Sequence, residues 1–467
     1  MTINLLNFFD QNKRQQALIG RLLMALVVLV ISNFIAVNIF NWQYVVLVDV
    51  LIVAFGLGLY FSDAAFYLML LTYPFIGWQF VWRDINVPYV DLFAMLAFLG
   101  FAYHLIKNWK HRSLSWKDFP GIVFIGAFVV SGILSLINAE FLAMSIKYLL
   151  RPIIFFYLMF VFVPFNLIEN KSKLKIAIKF LIIAGLIVAA IGFLSIVLGG
   201  NTWFVNRAVP FNFGDFNPIG GNQNAVAEIM VITIPLMLIL LSEEKSYRKQ
   251  GWIIVGIAFL GMVLFYTLSR SGYLALLFEL LIFAFVKIKP HISRSRFVIL
   301  LVGFILLPLV FYFSVWQNIS WVQGSNVSRI ALSEISWGAF KQMPIIGHGV
   351  GSFMSIIGST FVFVVEFGDP LDSHGFIQKI IVEQGALGLL SFGLFIVYIF
   401  AVMIRAFQSV HREKDKMYLL CFILLIAGIT LFELFSTSYY LSRMWVPIGV
   451  ALAGARLLKP DAVERVI

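Results

Sequence analysis

Cysteine is nearly absent from this chain, and charge is scarce. Cys421 stands alone among 467 residues, which excludes an intramolecular disulfide and any metal site built on paired thiolates. Charged residues occupy 12% of the positions, against about 25% in soluble globular domains. There is no HExxH, no paired-cysteine spacing, no P-loop, and no GxGxxG opening a helix. No long basic run is interleaved with aromatics, so a nucleic-acid surface is not indicated.

What remains is apolar. Hydrophobic residues make up 61% of the chain and the mean hydropathy is +0.96. Runs of about 20 such residues are long enough to cross a hydrocarbon core of roughly 30 Å. Fourteen runs are expected to do so, at 22–40, 43–61, 64–82, 90–106, 119–137, 144–168, 176–198, 225–241, 252–268, 271–287, 297–315, 384–404, 417–435 and 445–459. The expected fold class is all-α: a polytopic membrane protein of about 14 transmembrane helices, with residues 1–467 forming a single transmembrane domain.

Charge sets the orientation. Of the 34 Lys and Arg residues, 25 cluster in alternate loops. Basic loops stay in the cytoplasm, so both termini are expected inside and the helix number even. The net charge of +11 then reads as topology and as contact with anionic lipid headgroups. The opening MTINLLNFFDQNKRQQ has no small-residue cleavage site, so the first apolar run is expected to act as the insertion signal.

Two external segments are longer than connectors, at 199–224 and 316–380. Loops of such length are functional or disordered. The larger one carries Trp316, Trp321 and Trp337 without low-complexity sequence, so it is expected to be folded and partly helical. Its periodicity predicts a helix over Ser328–Gln342, closed by Pro344 and the glycine-rich IIGHGVGSF. A second amphipathic stretch runs from Ser373 to Gln384.

Nine basic residues lie away from the cytoplasmic rim: Arg83, Lys147, Arg151, Arg207, Arg270, Arg329, Lys341, Lys379 and Arg443. An arginine within the membrane costs about 2.5–3.5 kcal/mol on insertion scales, so it tends to face a cavity and a partner. Arg270 is wedged between two apolar runs in Thr267-Leu268-Ser269-Arg270-Ser271-Gly272. It is either a ligand-facing group or a snorkelling residue at a helix end. Arg207 and Arg329 taken singly read as surface charges. Together, three guanidinium groups on one face can clamp a diphosphate through bidentate hydrogen bonds.

His374 precedes a membrane helix on the external side and is the candidate general base. Nearby Asp372 and Glu383 can orient its ring, tune its pKa, or cap the helix. Four other histidines, His104, His111, His291 and His411, fall at cytoplasmic helix ends. His348 sits in the glycine-rich turn, where a structural hydrogen bond is expected. No metal site and no cofactor are expected from these residues.

These segments occur in an order that resembles the O-antigen ligase and O-antigen polymerase superfamily of bacterial envelope glycosyltransferases. The matching pieces begin with Arg207 and Asn222-Gln223-Asn224-Ala225-Val226-Ala227, with Pro235 following. Ser269-Arg270-Ser271-Gly272-Tyr273-Leu274-Ala275 comes next, then Pro344 to Phe353. The last is Asp372-Ser373-His374-Gly375-Phe376, continuing to Glu383-Gln384-Gly385-Ala386-Leu387-Gly388. The family commonly has His-Asn where this chain has His374-Gly375, so any role of that asparagine is missing here.

The resemblance implies a glycan donor carried on undecaprenyl diphosphate, met at the periplasmic face of the bacterial inner membrane. Transfer to a lipid or glycan hydroxyl acceptor would proceed with inversion and without metal. In that scheme His374 is the base, and Arg270, Arg207 and Arg329 hold the diphosphate. The leading expectation is an O-antigen ligase acting on a lipid A-core acceptor in lipopolysaccharide biosynthesis, and the alternative is a repeat-unit polymerase. A lipid-linked oligosaccharide flippase would be expected to show internal repeats and charges at mid-membrane. No repeat is evident, and the charges of interest gather at one face. A structural scaffold would not need three arginines and a histidine there.

Overall fold

The computed structural model describes residues 62–82, 85–108, 115–198, 206–214, 216–288 and 320–459, with a few isolated positions. The expected spans at 22–40, 43–61 and 297–315 lie outside the described residues. Within them the apolar runs are helical, because every backbone polar group in hydrocarbon needs a partner inside its own segment.

In chain order the elements are α1 (Ser62–Thr72), β1 (Gln79–Trp82), β2 (Ile85–Pro88), α2 (Tyr89–Lys107), α3 (Ile122–Ser135) and α4 (Leu142–Tyr148). A π-helical run, Leu149–Phe162, continues α4 into α5 (Val163–Leu167). Then come α6 (Lys171–Leu198), α7 (Gln223–Glu243), α8 (Tyr247–Thr267) and α9 (Arg270–Phe283). The last are α10 (Ser320–Gln342), α11 (Phe353–Ser359), α12 (Phe361–Phe367), α13 (Phe376–Ser409), α14 (Glu413–Glu433) and α15 (Ser442–Leu458).

Among the described residues, six helices are long and apolar enough to cross a membrane: α2, α6, α7, α8, α13 and α14. The run at 64–82 is a correction. Its helix stops at Thr72, ahead of Pro74 and Gly77, and the chain turns into an antiparallel hairpin with Gln79 opposite Pro88 and Trp82 opposite Ile85. Proline lacks the N–H a helix needs, and β-branched and aromatic residues suit the pleat. The architecture is all-α but for this ribbon.

Burial separates the helices by role. The most apolar window of α7 is 78% buried, and that of α8 only 22%. So α7 is the central post, packed by α6, α8 and α14, while α8 turns Trp252, Ile254, Val255 and Phe265 outward. In a second hub, fully buried Trp445 of α15 stacks on Phe156 at 4.5 Å and on Phe395 at 5.5 Å.

The two ends of the bundle differ in charge chemistry. At one end Lys171 pairs with Asp415 at 3.0 Å and Lys173 with Asp63 at 3.1 Å, and Lys175 meets Glu243. Partly exposed pairs of this kind contribute about 0–1 kcal/mol each. At the other end Arg443 lies 3.6 Å from Glu228, with both buried, and Glu433 is buried as well. These groups tie the start of α15 to α7 and α14. A buried ion pair is strongly destabilising to break, because it strands a charge in low dielectric.

The second end is shaped by a break in α13. Gly385 has φ 64° and ψ −159° inside an otherwise continuous helix. The 344–349 loop lies against the break and pairs with the backbone groups it frees. Ala386 and Leu387 donate to the carbonyls of Pro344 and Ile345 at 2.8 and 3.2 Å. His348 and Gly349 donate to those of Val382 and Glu383 at 2.9 and 3.0 Å. The imidazole of His348 makes the expected structural contact, its Nε2 lying 2.8 Å from the Ala339 carbonyl.

A Cβ at 385 would run into the Ile345 carbonyl, and positive φ costs an L-residue roughly 1–2 kcal/mol on its own. Gly385→Ala should therefore destabilise the detergent-solubilised protein by at least that φ cost, read as a lowered thermal midpoint. A midpoint equal to wild type would show that the loop does not constrain the break.

Candidate active site

The sharp turn between α8 and α9 presents Arg270. Leu268 takes a left-handed conformation, φ 54°, to end α8, an uncommon arrangement for a side chain of that size. Ser269 then caps α9: its hydroxyl accepts from Gly272 N–H at 3.3 Å and donates to Asn224 Oδ1 at 2.8 Å. Asn222, from the same Asn-Gln-Asn segment, caps α7. The two polar motifs are thus joined at the helix entries, and Arg270 becomes the first residue of α9. Arg207 reaches the same turn, its Nη2 donating to the Thr267 carbonyl at 3.3 Å.

Arg329 comes from α10, which begins at Ser320, earlier than the expected Ser328. This helix lies over the first turns of α13, and a separate small core holds it there: Leu332, Ala339, Phe353, Ile357, Phe363 and Val382. From Ser320 onward the segment expected at 316–380 contains the helices α10, α11 and α12. Asn326 of α10 accepts from Arg270 Nη1 at 2.5 Å, which ties α9 to α10. Arg329 is half-buried, and its Nε is buried with no hydrogen-bond partner among the described residues. A buried donor in that state is suited to an incoming acceptor. Burial, and then Arg270, lowers its pKa from the ordinary value, but a guanidinium remains charged at neutral pH.

His374 sits between Asp372 and the start of α13. Its backbone N–H donates to Gln378 Oε1 at 3.2 Å, and Gln378 Nε2 donates to Ser333 Oγ at 2.7 Å. Gln378 therefore clasps the histidine loop to α10. Burial lowers the imidazole pKa most and Arg329 adds to that; Asp372 opposes it and Arg270 reinforces it, leaving a value of about 4. A group held this low is neutral at pH 7, with a lone pair able to accept a proton.

The two supporting carboxylates act differently from ring-orienting partners. Both oxygens of Asp372 accept from Lys379 Nζ at 2.9 Å, and Oδ1 accepts from Ser373 N–H at 2.8 Å. Glu383 accepts from Phe353 N–H at 3.4 Å. Among the described residues neither carboxylate bonds the imidazole. Asp372 instead acts on His374 through its charge, and Glu383 pins the entry of α11. Lys379, 2% exposed, also lies 5.3 Å from the Tyr440 ring and 5.9 Å from that of Tyr148.

The structure thus brings Arg270, Arg329, His374 and Asp372 within electrostatic reach of one another. Arg207 is placed at the adjoining α8–α9 turn. Gln378 and Asn326 escaped the sequence reading, and Lys379 entered it only as one of the nine basic residues away from the rim. Gln378 carried a faint signal, four residues beyond His374 and so one helical turn away. Asn326 carried none, because its partner Arg270 is remote in sequence. Among the described residues no three His, Cys, Asp or Glu side chains gather as a metal-ligand set.

Gly375 explains the departure from His-Asn. A Cβ there would collide with the Leu434 carbonyl, so this packing of α14 against the histidine loop leaves no space for an asparagine.

Comparison with known proteins follows the same segment. Residues 253–393 match the family model described as O-antigen ligase. That stretch holds Arg270, Arg329, His374 and Glu383, and Arg207 precedes it. No curated protein sequence matches the chain. Among solved structures, a chain from work on how a peptidoglycan synthase complex coordinates polymerization and crosslinking aligns with 74% of this chain and 98% of its own length. The identity is 17% and the TM-score 0.38, too low for any argument from likeness. By that match, the segment that carries Arg270, Arg329 and His374 is similar to the O-antigen ligase family.

Proposed function

We propose that this chain is a membrane glycosyltransferase that moves a glycan from undecaprenyl diphosphate to a hydroxyl acceptor, acting as an O-antigen ligase with a lipid A-core acceptor. The observation that carries the reading is the neutral His374 held beside Arg329 and Arg270. Two guanidinium groups and the N-terminus of α9 together favour a multiply charged anion. An imidazole buried among them stays unprotonated and available as a base.

In the proposed step the acceptor hydroxyl attacks the anomeric carbon of the donor. The new C–O bond forms as the bond to the phosphate oxygen breaks, and the diphosphate leaves with that electron pair. His374 takes the hydroxyl proton. Arg270 and Arg329, with Arg207 as helper, stabilise the charge that builds on the leaving group. Fixed guanidinium charges do here what a divalent cation does in other phosphate chemistry, so the reaction is proposed to run without metal. The cluster lies at the bundle end away from the lysine-rich rim, which we assign to the periplasmic side of the inner membrane with both termini cytoplasmic.

Reporter fusions after Lys414 and near Gly358 should therefore lie on opposite sides of the membrane, and a same-side result would sink the orientation. Arg270→Lys retains charge but loses the planar fork. Its transfer rate should fall strongly while the protein still inserts, whereas near-normal rates in both Arg270→Lys and Arg270→Ala would reduce the residue to a structural role.

His374→Ala should lower the rate about 10²–10⁴-fold, with donor affinity largely kept, and EDTA should leave wild-type turnover intact. Full activity in the variant, or loss in EDTA restored by Mg²⁺, would contradict the mechanism. The lowered His374 pKa also sets a pH signature. Protonation removes the base, so activity is lost as pH falls through that pKa. In kcat/KM, which reports the free enzyme, the acid limb should lie near pH 4. In kcat it should move upward, because the bound diphosphate offsets the arginine charge. An acid limb near 6.5 in kcat/KM would show that the arginines do not act on the ring.

A further inference from the structure

A cavity of about 350 Å³ lies between the β-hairpin, the start of α2, the end of α4 and the entry to α15. Its volume is at the lower end of small-molecule sites. Tyr148, Phe155 and Tyr440 supply aromatic surface, and Gln79, Asn86 and Ser442 supply donors and acceptors. Lys147 and Asp91 complete its polar lining. The walls are set before any ligand arrives. Trp78 N–H donates to the Pro218 carbonyl at 3.0 Å, Tyr89 N–H to the Trp78 carbonyl at 3.0 Å, and Ser442 Oγ to the Tyr73 carbonyl at 2.8 Å.

The lining narrows the chemistry of the occupant. A lipid chain would strip water from the amides and the charged groups without replacing their hydrogen bonds, which is costly. A diphosphate would meet one lysine and an opposing carboxylate, a far weaker site than the arginine pair that acts on His374. A sugar fits both halves of the lining. Its C–H faces lie against aromatic rings, and its hydroxyl edges exchange hydrogen bonds with planar amides and carboxylates.

Position relative to the reacting groups narrows it further. Tyr148 and Tyr440 belong to the cavity wall and also flank the Lys379 ammonium. Lys379 holds Asp372, two residues ahead of His374. The cavity is therefore separated from the histidine loop by one layer of side chains. Arg270 and Arg329 approach the same loop from α9 and α10. The acceptor hydroxyl must reach both the base and the anomeric carbon of the donor, so the rest of the acceptor extends away from the diphosphate. Resting on the glycosyl-transfer reading, we propose that this cavity is the subsite for a sugar of the acceptor, with the donor diphosphate held on the arginine side.

The test uses the full chain purified in detergent, with donor glycolipid and unmodified acceptor glycolipid extracted from a strain lacking this protein. Asn86→Ala and Gln79→Ala change side chains at the cavity mouth and should keep the wild-type elution profile and thermal midpoint. The pair combined should raise KM for the acceptor about tenfold or more, as the loss of one or two hydrogen bonds implies, while KM for the donor stays within twofold. In a separate arm, the delipidated saccharide of the acceptor glycolipid is followed by saturation-transfer NMR. Transfer signals should appear with wild type and with His374→Ala, and should weaken with the Asn86/Gln79 double variant.

Unchanged acceptor KM together with unchanged saccharide signals would overturn the proposal. A rise in donor KM alone would overturn the assignment to the acceptor. Saccharide binding that depends on Asn86 and Gln79, in a wild-type protein that performs no transfer, would sink the glycosyltransferase reading and leave a sugar-binding cavity standing.

Discussion

The functional end of this protein depends on a helix that is interrupted and repaired. An α-helix long enough to span a membrane normally satisfies its own backbone, and an opening in it exposes groups that hydrocarbon cannot satisfy. At Gly385 the opening is filled by the backbone of residues 344–349. Several consequences follow from that pairing. It fastens the end of α10 to α13, so that Arg329 is delivered beside His374. It lets residues 376–384 run in their own direction as a short helical segment. The same junction is bound to α3, where Ser131 donates to Gln384 Oε1 at 2.7 Å and Ser135 accepts from Val350 N–H at 3.2 Å. Three distant parts of the chain, α3, the loop after α10 and α13, therefore meet at one turn of backbone.

Around that junction the electrostatics are deliberate in one sense: cations crowd a group that could itself become a cation. Arg329 and Arg270 both disfavour the imidazolium form of His374, and burial disfavours it more. Asp372 opposes them only in part, because its two oxygens are engaged by Lys379. A free site of this kind is poised for an anion. Until one arrives, the arginine charges keep the base deprotonated but weak. An anion that neutralised the arginine charges would raise the basicity of the imidazole.

The buried Glu228, Arg443 and Glu433 belong to a different economy. They lie among the starts and ends of α7, α14 and α15, and the ion pair there is wide at 3.6 Å. Such groups contribute little net stability relative to apolar packing, yet removing one partner is severe. Their effect is to hold the register of helix ends, including the Tyr439–Ser442 segment that walls the sugar-sized cavity.

Much of this was legible in the amino-acid order. Apolar run lengths located α2, α6, α7, α8, α13 and α14, because a membrane demands long helices of uniform polarity. Pro344 and the glycines after it marked the end of α10. Arg270, Arg329 and His374 stood out because ionisable residues are scarce in such a chain and each requires a reason. The first strand of the hairpin, Gln79–Trp82, was read as the end of a membrane helix, since it is as apolar as a span and periodicity alone does not separate the two. Of the supporting carboxylates, Asp372 acts on the His374 pKa through its charge, one of the roles its nearness suggested, while Lys379 and the Phe353 amide, not the imidazole, hydrogen-bond to Asp372 and Glu383.

By itself, then, the sequence determined that this is a helical membrane protein and which side chains were candidates for its chemistry, for composition and scarcity are local properties. Only the tertiary structure decided that α10 closes over α13, that Gln378 clasps His374, and that a cavity opens behind Tyr440. Those facts depend on contacts between residues far apart in the chain, set by the loop that repairs the break at Gly385, and no local pattern encodes them.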